Sequence, residues 1–542
     1  MKRRHAALAL MIAGALAAPG CALIFGIEEV SEGTGGAQVD SGPDTSDAAD
    51  ASDADDASDA DDASDADDAS DADDASDASD ADDASDASDA SDADDASDAS
   101  DASDSGPPNP CEWPSTEDWT RSFAAADVSV TGVAVDSQGH VIVAGTVAGD
   151  LDIGGQILPG GADLDVFVFA LDEHGQHLWS RRFGDVGDQR ALGLAIDPPT
   201  SPTPDAILVT GSVAGTLDFG GSSPSLSGGK ARAFVARLDP TTGDGIKALA
   251  AGGQPSKAHA GTAVVPLTDG SLFWAGIQDD GANLFLRKLD PALVVTATTA
   301  PVCAGCDAHL ARIPGGVAIA GGFLGQLDLV TGGIGPLTSA GGTDVFMGLL
   351  SAPGSLFQED QASAFGGLTT EVGTGIGGDG AGATYVVGNF EGNLDWKNGV
   401  ELTSTGSLDA FVARVSGTLE GQWAKGFGST NVTFDQRAAA VAVGNRIAVV
   451  GDFFGEIDFG LGAPVASAGS LDGYAAALDP ATGTVIQAFS FGSPAFDGAT
   501  AVAADQSSHI FVGGVLGGPA TLACGPVGGP GKAIFIARRT VP

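Results

Sequence analysis

Basic residues are scarce in this chain: 23 Lys and Arg stand against 73 Asp and Glu over 542 residues, a formal charge of −50. A field of that sign repels phosphate and anionic lipid, which excludes electrostatically driven binding to nucleic acid or to an anionic membrane surface. Aromatic and basic residues are not interleaved as in single-strand binders. Beyond the N-terminus, no apolar run reaches bilayer-spanning length without interruption. The Gly-x-Ser-x-Gly elbow, the P-loop and the Rossmann fingerprint are all missing from the strand–turn–helix context that each needs. The length is too great for one compact core.

At the N-terminus, Lys2, Arg3 and Arg4 precede an apolar stretch from Ala6 to Ala18 that contains Leu8, Leu10, Met11, Ile12 and Leu16. Charge, a short apolar run and small residues make an export signal. A buried core helix fits poorly, because an acidic low-complexity tract follows. The box Ala18-Pro19-Gly20-Cys21 resembles a bacterial lipoprotein signal, in which small residues precede an acylated Cys. It departs from that family in lacking Leu three residues before Cys21 and in carrying Pro. The competing reading is cleavage near Ala17, which releases a soluble protein. With Cys21 as the lipid attachment site, Ala22 in place of an inner-membrane-retaining Asp implies, by the same resemblance, the outer membrane or cell surface. Acyl chains then anchor the protein at about 0.8 kcal/mol per buried methylene.

Residues 41–105 hold 27 of the 73 acidic residues and neither Lys nor Arg. They repeat Ser-Asp-Ala-Asp-Asp-Ala and Ser-Asp-Ala. Ala methyls cannot offset chain entropy there, and dense like charge opposes compaction. The expectation is a disordered, self-repelling spacer over 21–110, between a signal over 1–20 and a folded region over 111–542. Regular Asp spacing raises calcium as an alternative, but residues 46–105 contain neither the turn Gly nor the Glu of a dedicated loop. Diffuse counter-ion condensation is the favoured reading.

The folded region is built on self-similarity. Gly-x-x-x-Gly-x-Leu-Asp recurs at Gly145–Asp152, Gly211–Asp218, Gly321–Asp328, Gly388–Asp395 and Gly451–Asp458, with weaker copies opening at Gly276 and Gly513. A fixed period of this length signals repeat architecture. The first clear unit reads as four short strands joined by Gly/Asp turns, a meander, with the motif in the connection after the second strand. Third strands recur as Val166-Phe167-Val168, Ala233-Phe234-Val235 and Asp409-Ala410-Phe411-Val412, apolar on both faces. Fourth strands end Phe-Gly at Phe183, Phe365, Phe427 and Phe491. Four strands per unit and seven units predict an all-β chain, a seven-bladed β-propeller. A β-solenoid is the main rival, and it lacks meander turns. The last unit stops after its third strand, while Trp119-Thr120-Arg121-Ser122-Phe123 matches Trp179-Ser180-Arg181-Arg182-Phe183. The N-terminal segment is therefore expected to complete the last blade.

The Asp-x-x-Gly turns, Gly-x-x-x-Gly-x-Leu-Asp-Phe-Gly and Asp-x-Phe-Val-Ala-x-Leu-Asp resemble the bacterial seven-bladed propeller repeat (SBBP type) of secreted and surface proteins, over about residues 119–542. With the acidic spacer and the lipoprotein-like signal, the whole resembles predicted surface lipoproteins of myxobacteria. The motif speaks to fold far more than to function. The third unit departs from it, since Gly276–Asp290 lacks Leu-Asp.

Candidate chemistry is thin. Asp152, Asp218, Asp328, Asp395 and Asp458 recur in nearly every unit. A catalytic pair needs two differently tuned carboxylates in one place, so a repeated Asp reads as a turn device. Beyond Cys21, four cysteines remain in an exported chain, Cys111, Cys303, Cys306 and Cys524, with three possible pairings. The favoured one joins Cys303 to Cys306 and Cys111 to Cys524. Zinc on Cys303, Cys306 and His309 is the rival but lacks an evident fourth ligand, and a redox role lacks its βαβ context. His174 and His177 lie in a turn rather than on a helix beside Glu, and His140 and His509 occupy matching turn positions. No metal site and no cofactor are expected. The leading expectation is a non-enzymatic, monomeric, surface-tethered binding or scaffold protein for a protein or glycan ligand. The alternative is an exported hydrolase or lyase acting on glycans, with Asp279, Asp280, Arg287 and Lys288 of the degenerate third unit as the first place to look.

Overall fold

Short alternating runs punctuated by Gly and Asp can satisfy their backbone only by pairing with neighbours, and they do so throughout. The computed structural model describes residues 118–542, apart from 155–156, 200–204, 253–255, 304, 406 and 523–524. All regular structure among these is β. Four sheets are four-stranded antiparallel meanders, spanning Gln189–Ala251, Ala260–Thr299, His309–Phe365 and Glu371–Phe427. A fifth begins with the same four-strand pattern over Gln436–Gly492 and gains a short hairpin, Ala520–Leu522 with Gly525–Val527. The segments expected to be an export signal and an acidic spacer, together with Cys21, Cys111 and Cys524, lie outside the described residues.

A sixth sheet joins the two ends of the folded region. Trp119–Val135 is one continuous strand rather than the two separate strands expected from sequence. Its first part pairs antiparallel with Ala533–Thr540, with Trp119 opposite Arg538 and Phe123 opposite Ile534. Its second part pairs with Val141–Leu151, with Val135 opposite Val141. Asp118 tightens the seam by accepting from the Thr540 N–H at 2.8 Å and its hydroxyl at 2.9 Å.

The first strands of successive meanders touch in order. Trp119–Val135 packs on Gln189–Asp197, then follow Ala260–Pro266, His309–Ile313, Glu371–Gly378, Gln436–Val443 and Gly498–Ala504, and the last packs back on Trp119–Val135. Four of these steps carry the same hydrogen bond. Thr131, Thr262, Thr374 and Thr500 donate from Oγ1 to the carbonyls of Ala191, Ala308, Ala438 and Val130, at 2.8, 3.2, 2.6 and 2.7 Å. The pairing register slips at Thr131, Thr262, Thr374 and Thr500, a bulge that turns each hydroxyl toward the next sheet.

Third strands are buried on both faces, Asp165–Leu171 and Asp472–Leu478 completely. Each sheet is thus covered by its neighbours, as the apolar runs required. The recurrent motif straddles the end of the second strand instead of following it. Its first Gly is paired in the strand, as Gly145 is with Val130 and Gly388 with Gly373. A Cβ at Gly145, Gly211, Gly276, Gly388, Gly451 or Gly514 would overlap a first-strand carbonyl and crowd the aromatic ring of the third strand, and at Gly321 it would meet Asp307 O, just before the first strand, and Phe346. In the last unit the structural counterpart is thus Gly514, one residue beyond the motif start read from sequence.

Candidate functional site: the loop end of the sheets

Antiparallel order puts the ends of second and fourth strands on one side of every sheet. The second-to-third connections and the sheet-to-sheet connections therefore share that side. The repeated Asp of the motif sits there as a turn device. Asp152, Asp218, Asp395 and Asp458 each accept, at 2.7–2.8 Å, the backbone N–H two residues on. Asp328 differs: its Oδ1 is buried without a partner, and its charge helps burial push Glu359 upward in pKa.

Exposed apolar side chains gather in the same connections. Of fifteen large exposed ones among the described residues, ten lie there: Ile157, Val186, Val302, Leu324, Ile334, Leu368, Val432, Phe454, Leu461 and Phe496. Val186 and Leu368 are 81% and 85% exposed. Val186, Val302, Leu368, Val432 and Phe496 occupy five sheet-to-sheet connections. The Phe454 ring meets Phe434 of the adjoining connection edge-on at 5.8 Å. Sequence reading missed these residues. For the loops after Phe-Gly the available signal was an apolar residue within an otherwise small or polar loop, Val186, Leu368, Val432 or Phe496, whose identity changes from loop to loop.

Beneath the loops lies a second repeated feature. Each third strand of four meanders opens with a buried Asp, namely Asp165, Asp344, Asp409 and Asp472. The Gly of each Phe-Gly pair packs against it, since a Cβ at Gly184, Gly366, Gly428 or Gly492 would strike that carboxyl. Across the junction stands a buried Gln189, Glu371, Gln436 or Asp497. Burial pushes Asp344, Glu371, Asp409 and Asp497 upward in pKa. Asp472 is pushed up to about 6 by burial, with the Asp497 charge adding to it.

At the opposite end of the sheets, two cavities share Arg312. One, of about 440 Å³, is lined by Asp136, Ile196, Pro199, Asp205, Pro266 and Arg312 among others. The other, of about 580 Å³, includes Asp269, Phe273, Lys288, Arg312 and Ala352. Asp136 and Asp505 at this end are committed to their own turns. Asp136 accepts from the N–H groups of Gln138 and His140 at 2.9 Å and contacts His140 Nδ1 at 2.9 Å. Asp505 and His509 repeat the arrangement, with Nδ1 at 2.7 Å. Asp205 accepts from Ser137 N at 2.8 Å.

The structure separates the four residues singled out in the third unit. Asp279 and Asp280 form a tight turn with left-handed backbone, φ 59° and 61°. Asp280 pairs with Lys257 at 2.7 Å. Arg287 lies over Trp274 and Phe285, and Lys288 donates to Ala352 O at 3.1 Å, at the far end of that hairpin. Cys303 and Cys306 are joined as a disulfide, their Cα atoms 5.8 Å apart, and both are buried. His309 is directed to Asp307, Nε2 to Oδ2 at 3.4 Å. Among the described residues, no group of three or more His, Cys, Asp or Glu side chains could hold a metal ion, and no helix is long and apolar enough to cross a membrane.

No protein-family model matches the sequence. No curated protein matches it either. Among solved structures, the fold is similar to polysaccharide lyase Uly1, at 11% identity and a TM-score of 0.39 over 76% of this chain and 90% of that one. It is similar to Chaetomium thermophilum Sqt1 bound to the N-terminus of the ribosomal protein L10, at 9% identity and a TM-score of 0.38 over 78% and 98%. It is also similar to quinohemoprotein alcohol dehydrogenase from Comamonas testosteroni, at 10% identity and a TM-score of 0.34 over 77% and 76%.

Proposed function

We propose that this chain is an exported, surface-tethered binding or scaffold protein. Its folded region is a seven-bladed β-propeller closed by the N-terminal strand, carried on an acidic spacer anchored through a lipid on Cys21. It works as a monomer and engages a protein or glycan ligand through the loop end of the sheets. Support for the ring comes from the pairing of Trp119–Ala124 with Ala533–Arg538 and from the Thr500 to Val130 hydrogen bond. Further support is the cyclic order in which first strands pack.

The observation that carries the binding reading is the crowding of exposed apolar side chains into one set of connections. Exposed apolar clusters on a soluble surface mark interaction sites. The turn-committed carboxylates support a non-enzymatic role, since an Asp that caps its own loop is not free to move a proton. The test is a glycan array and a defined-partner pull-down with the full-length protein. Reproducible binding should be lost in the Leu368→Asp/Phe496→Asp variant and kept in Leu356→Asp, which lies at the other end. Binding that ignores the loop substitutions, or no reproducible ligand at all, refutes the reading.

A further inference from the structure

The buried acids under the loops have too few donors. At the Asp344–Glu371 junction, Asp344 Oδ2 accepts from Ala340 N at 2.9 Å. Glu371 Oε2 accepts from Gly367 N at 2.9 Å, and Oε1 shares the single Thr369 hydroxyl proton, 2.6 Å away, with Glu391 O, also at 2.6 Å. Asp344 Oδ1 has no partner. It stands beside Glu371 Oε2, both 2.8 Å from the point a Cβ on Gly366 would occupy. Asp344 Oδ1 thus has no protein donor and lies near a second carboxyl oxygen.

The same deficit recurs. Asp409 Oδ2 accepts from Thr405 N at 2.9 Å, while Asp409 Oδ1 and Gln436 Oε1 are both buried without a partner. Gln436 Nε2 is already spent on Glu456 O at 2.6 Å. Turning the amide over would only move the missing donor to that carbonyl. Asp472 Oδ2 accepts from Ala468 N at 2.7 Å and its Oδ1 is unpartnered. Its neighbour Asp497 accepts from Ser493 N and the Ser493 hydroxyl on Oδ2 at 2.7 Å and from Gly517 N on Oδ1 at 3.0 Å, which leaves one lone pair of Oδ1 to accept again. Each junction lacks one donor, always at the third-strand Asp. A buried acceptor without a donor is costly, and a proton held on one of two neighbouring acceptors supplies that donor from within the pair. Two facing oxygens fall well short of the 6–8 that calcium takes.

We propose that Asp344, Asp409 and Asp472 are carboxylic acids in the folded protein at mildly acidic pH, each donating its Oδ1 proton across the junction to Glu371, Gln436 or Asp497. The seams between sheets are thereby latched by protons. The charged groups that bear on these junctions are themselves acidic: Asp344 and Glu391 on Glu371, Asp435 on Asp409, and Asp497 on Asp472. None of them compensates an ionised partner. The fourth junction stands outside the proposal, because Arg182 Nε donates to Asp165 Oδ2 at 2.7 Å and balances its charge. The latch is mechanically tied to the loops above it. Gly367 and Thr369, which bind Glu371, flank exposed Leu368, and Ser493 and Asp497 hold the loop of Phe496.

The sign follows from linkage. A carboxyl whose folded pKa lies above its unfolded value holds an extra proton in the native state between the two. The stability it contributes is complete below the unfolded value of 3.8 and is lost as pH rises through the folded one, about 6 for Asp472. The experiment follows thermal unfolding of the full-length protein from about pH 4 to 7.5, with infrared spectra of the protonated-carboxyl band at about pH 5.5. The proposal expects a Tm that falls across this range and a protonated-carboxyl band that persists. In Asp344→Asn, Asp409→Asn and Asp472→Asn, whose amides supply the missing donor, it expects a retained fold and a shallower pH slope. An unchanged slope in all three variants overturns it, as does loss of the wild-type band by about pH 5.5. A Tm lowered by chelator and restored by a divalent cation overturns it too. The infrared arm needs only the unmodified protein, so a variant that fails to fold does not shelter the proposal. This inference is independent of the binding reading, which the loop-tip variants test separately.

Discussion

Trp119 is the most demanding test of how the two ends of the folded region are joined. Its ring is 8% exposed, its Nε1 donates to Glu173 O at 2.8 Å, and its backbone pairs with Arg538. Gly175 packs directly on the indole, with φ +72° and no room for a Cβ. Truncating a buried Trp to Ala costs about 3–5 kcal/mol through lost transfer energy and the cavity left behind. Trp119→Phe keeps most of that packing but removes the indole hydrogen bond, so it should cost about 1 kcal/mol. The informative readout is where the loss appears. If the N-terminal segment is the outer neighbour of Ala533–Thr540, amide hydrogen exchange should accelerate at Ile534, Phe535 and Ile536, more than 400 positions away in sequence. The sheet over Glu371–Phe427 should keep its protection. Denaturant unfolding supplies the stability difference and exchange mass spectrometry the location. A loss under 1 kcal/mol for Trp119→Ala, or faster exchange confined to residues 119–135, would refute the argument.

Other outcomes follow from the same geometry. Gly388→Ala places a Cβ against Val372 O and 2.7 Å from the Phe411 ring, so it should destabilise by about 1–3 kcal/mol. Phe411→Leu should restore only part of that, because the carbonyl overlap remains; a full rescue in denaturation curves would contradict it. Asp452 is pushed up to about 6 by burial, against the pull of Arg437. Its contribution to stability should therefore fade as pH rises from about 4 through 6, and Asp452→Asn should flatten that part of a Tm–pH profile. Removing the Cys303–Cys306 bond by Cys303→Ser/Cys306→Ser should cost about 2 kcal/mol from the entropy of so short a loop. Unchanged stability by calorimetry would count against a structural role for that bond.

Much of this was legible in the sequence. The alternation of small and apolar residues, broken by Asp-x-x-Gly, is a local code for a strand and its turn, so the four-stranded meanders follow from it. Asp152, Asp218, Asp395 and Asp458 read as turn formers and act as such, because an Asp side chain reaches the N–H two residues on without help from tertiary structure. The match of Trp119–Phe123 to a fourth strand was visible as pattern. That it runs unbroken into the next strand was not, since nothing local marks where one sheet hands over to another. The first Gly of the motif was visible as a repeat, yet its cause lies on two other strands, and the shift from Gly513 to Gly514 could be seen only with those strands in place.

Residue order alone determined where chain can pair and where it must turn, because hydrogen-bond demand and backbone freedom act over a few neighbouring residues. Only the assembled sheets decided that Asp344, Asp409 and Asp472 would be shut away from water opposite other acceptors, and that Leu368 and Phe496 would be left outside. Burial and facing partners depend on strands brought together from distant parts of the chain. A carboxyl on a surface turn and one at a sheet junction carry the same letter, and only the surroundings separate an ion from an acid.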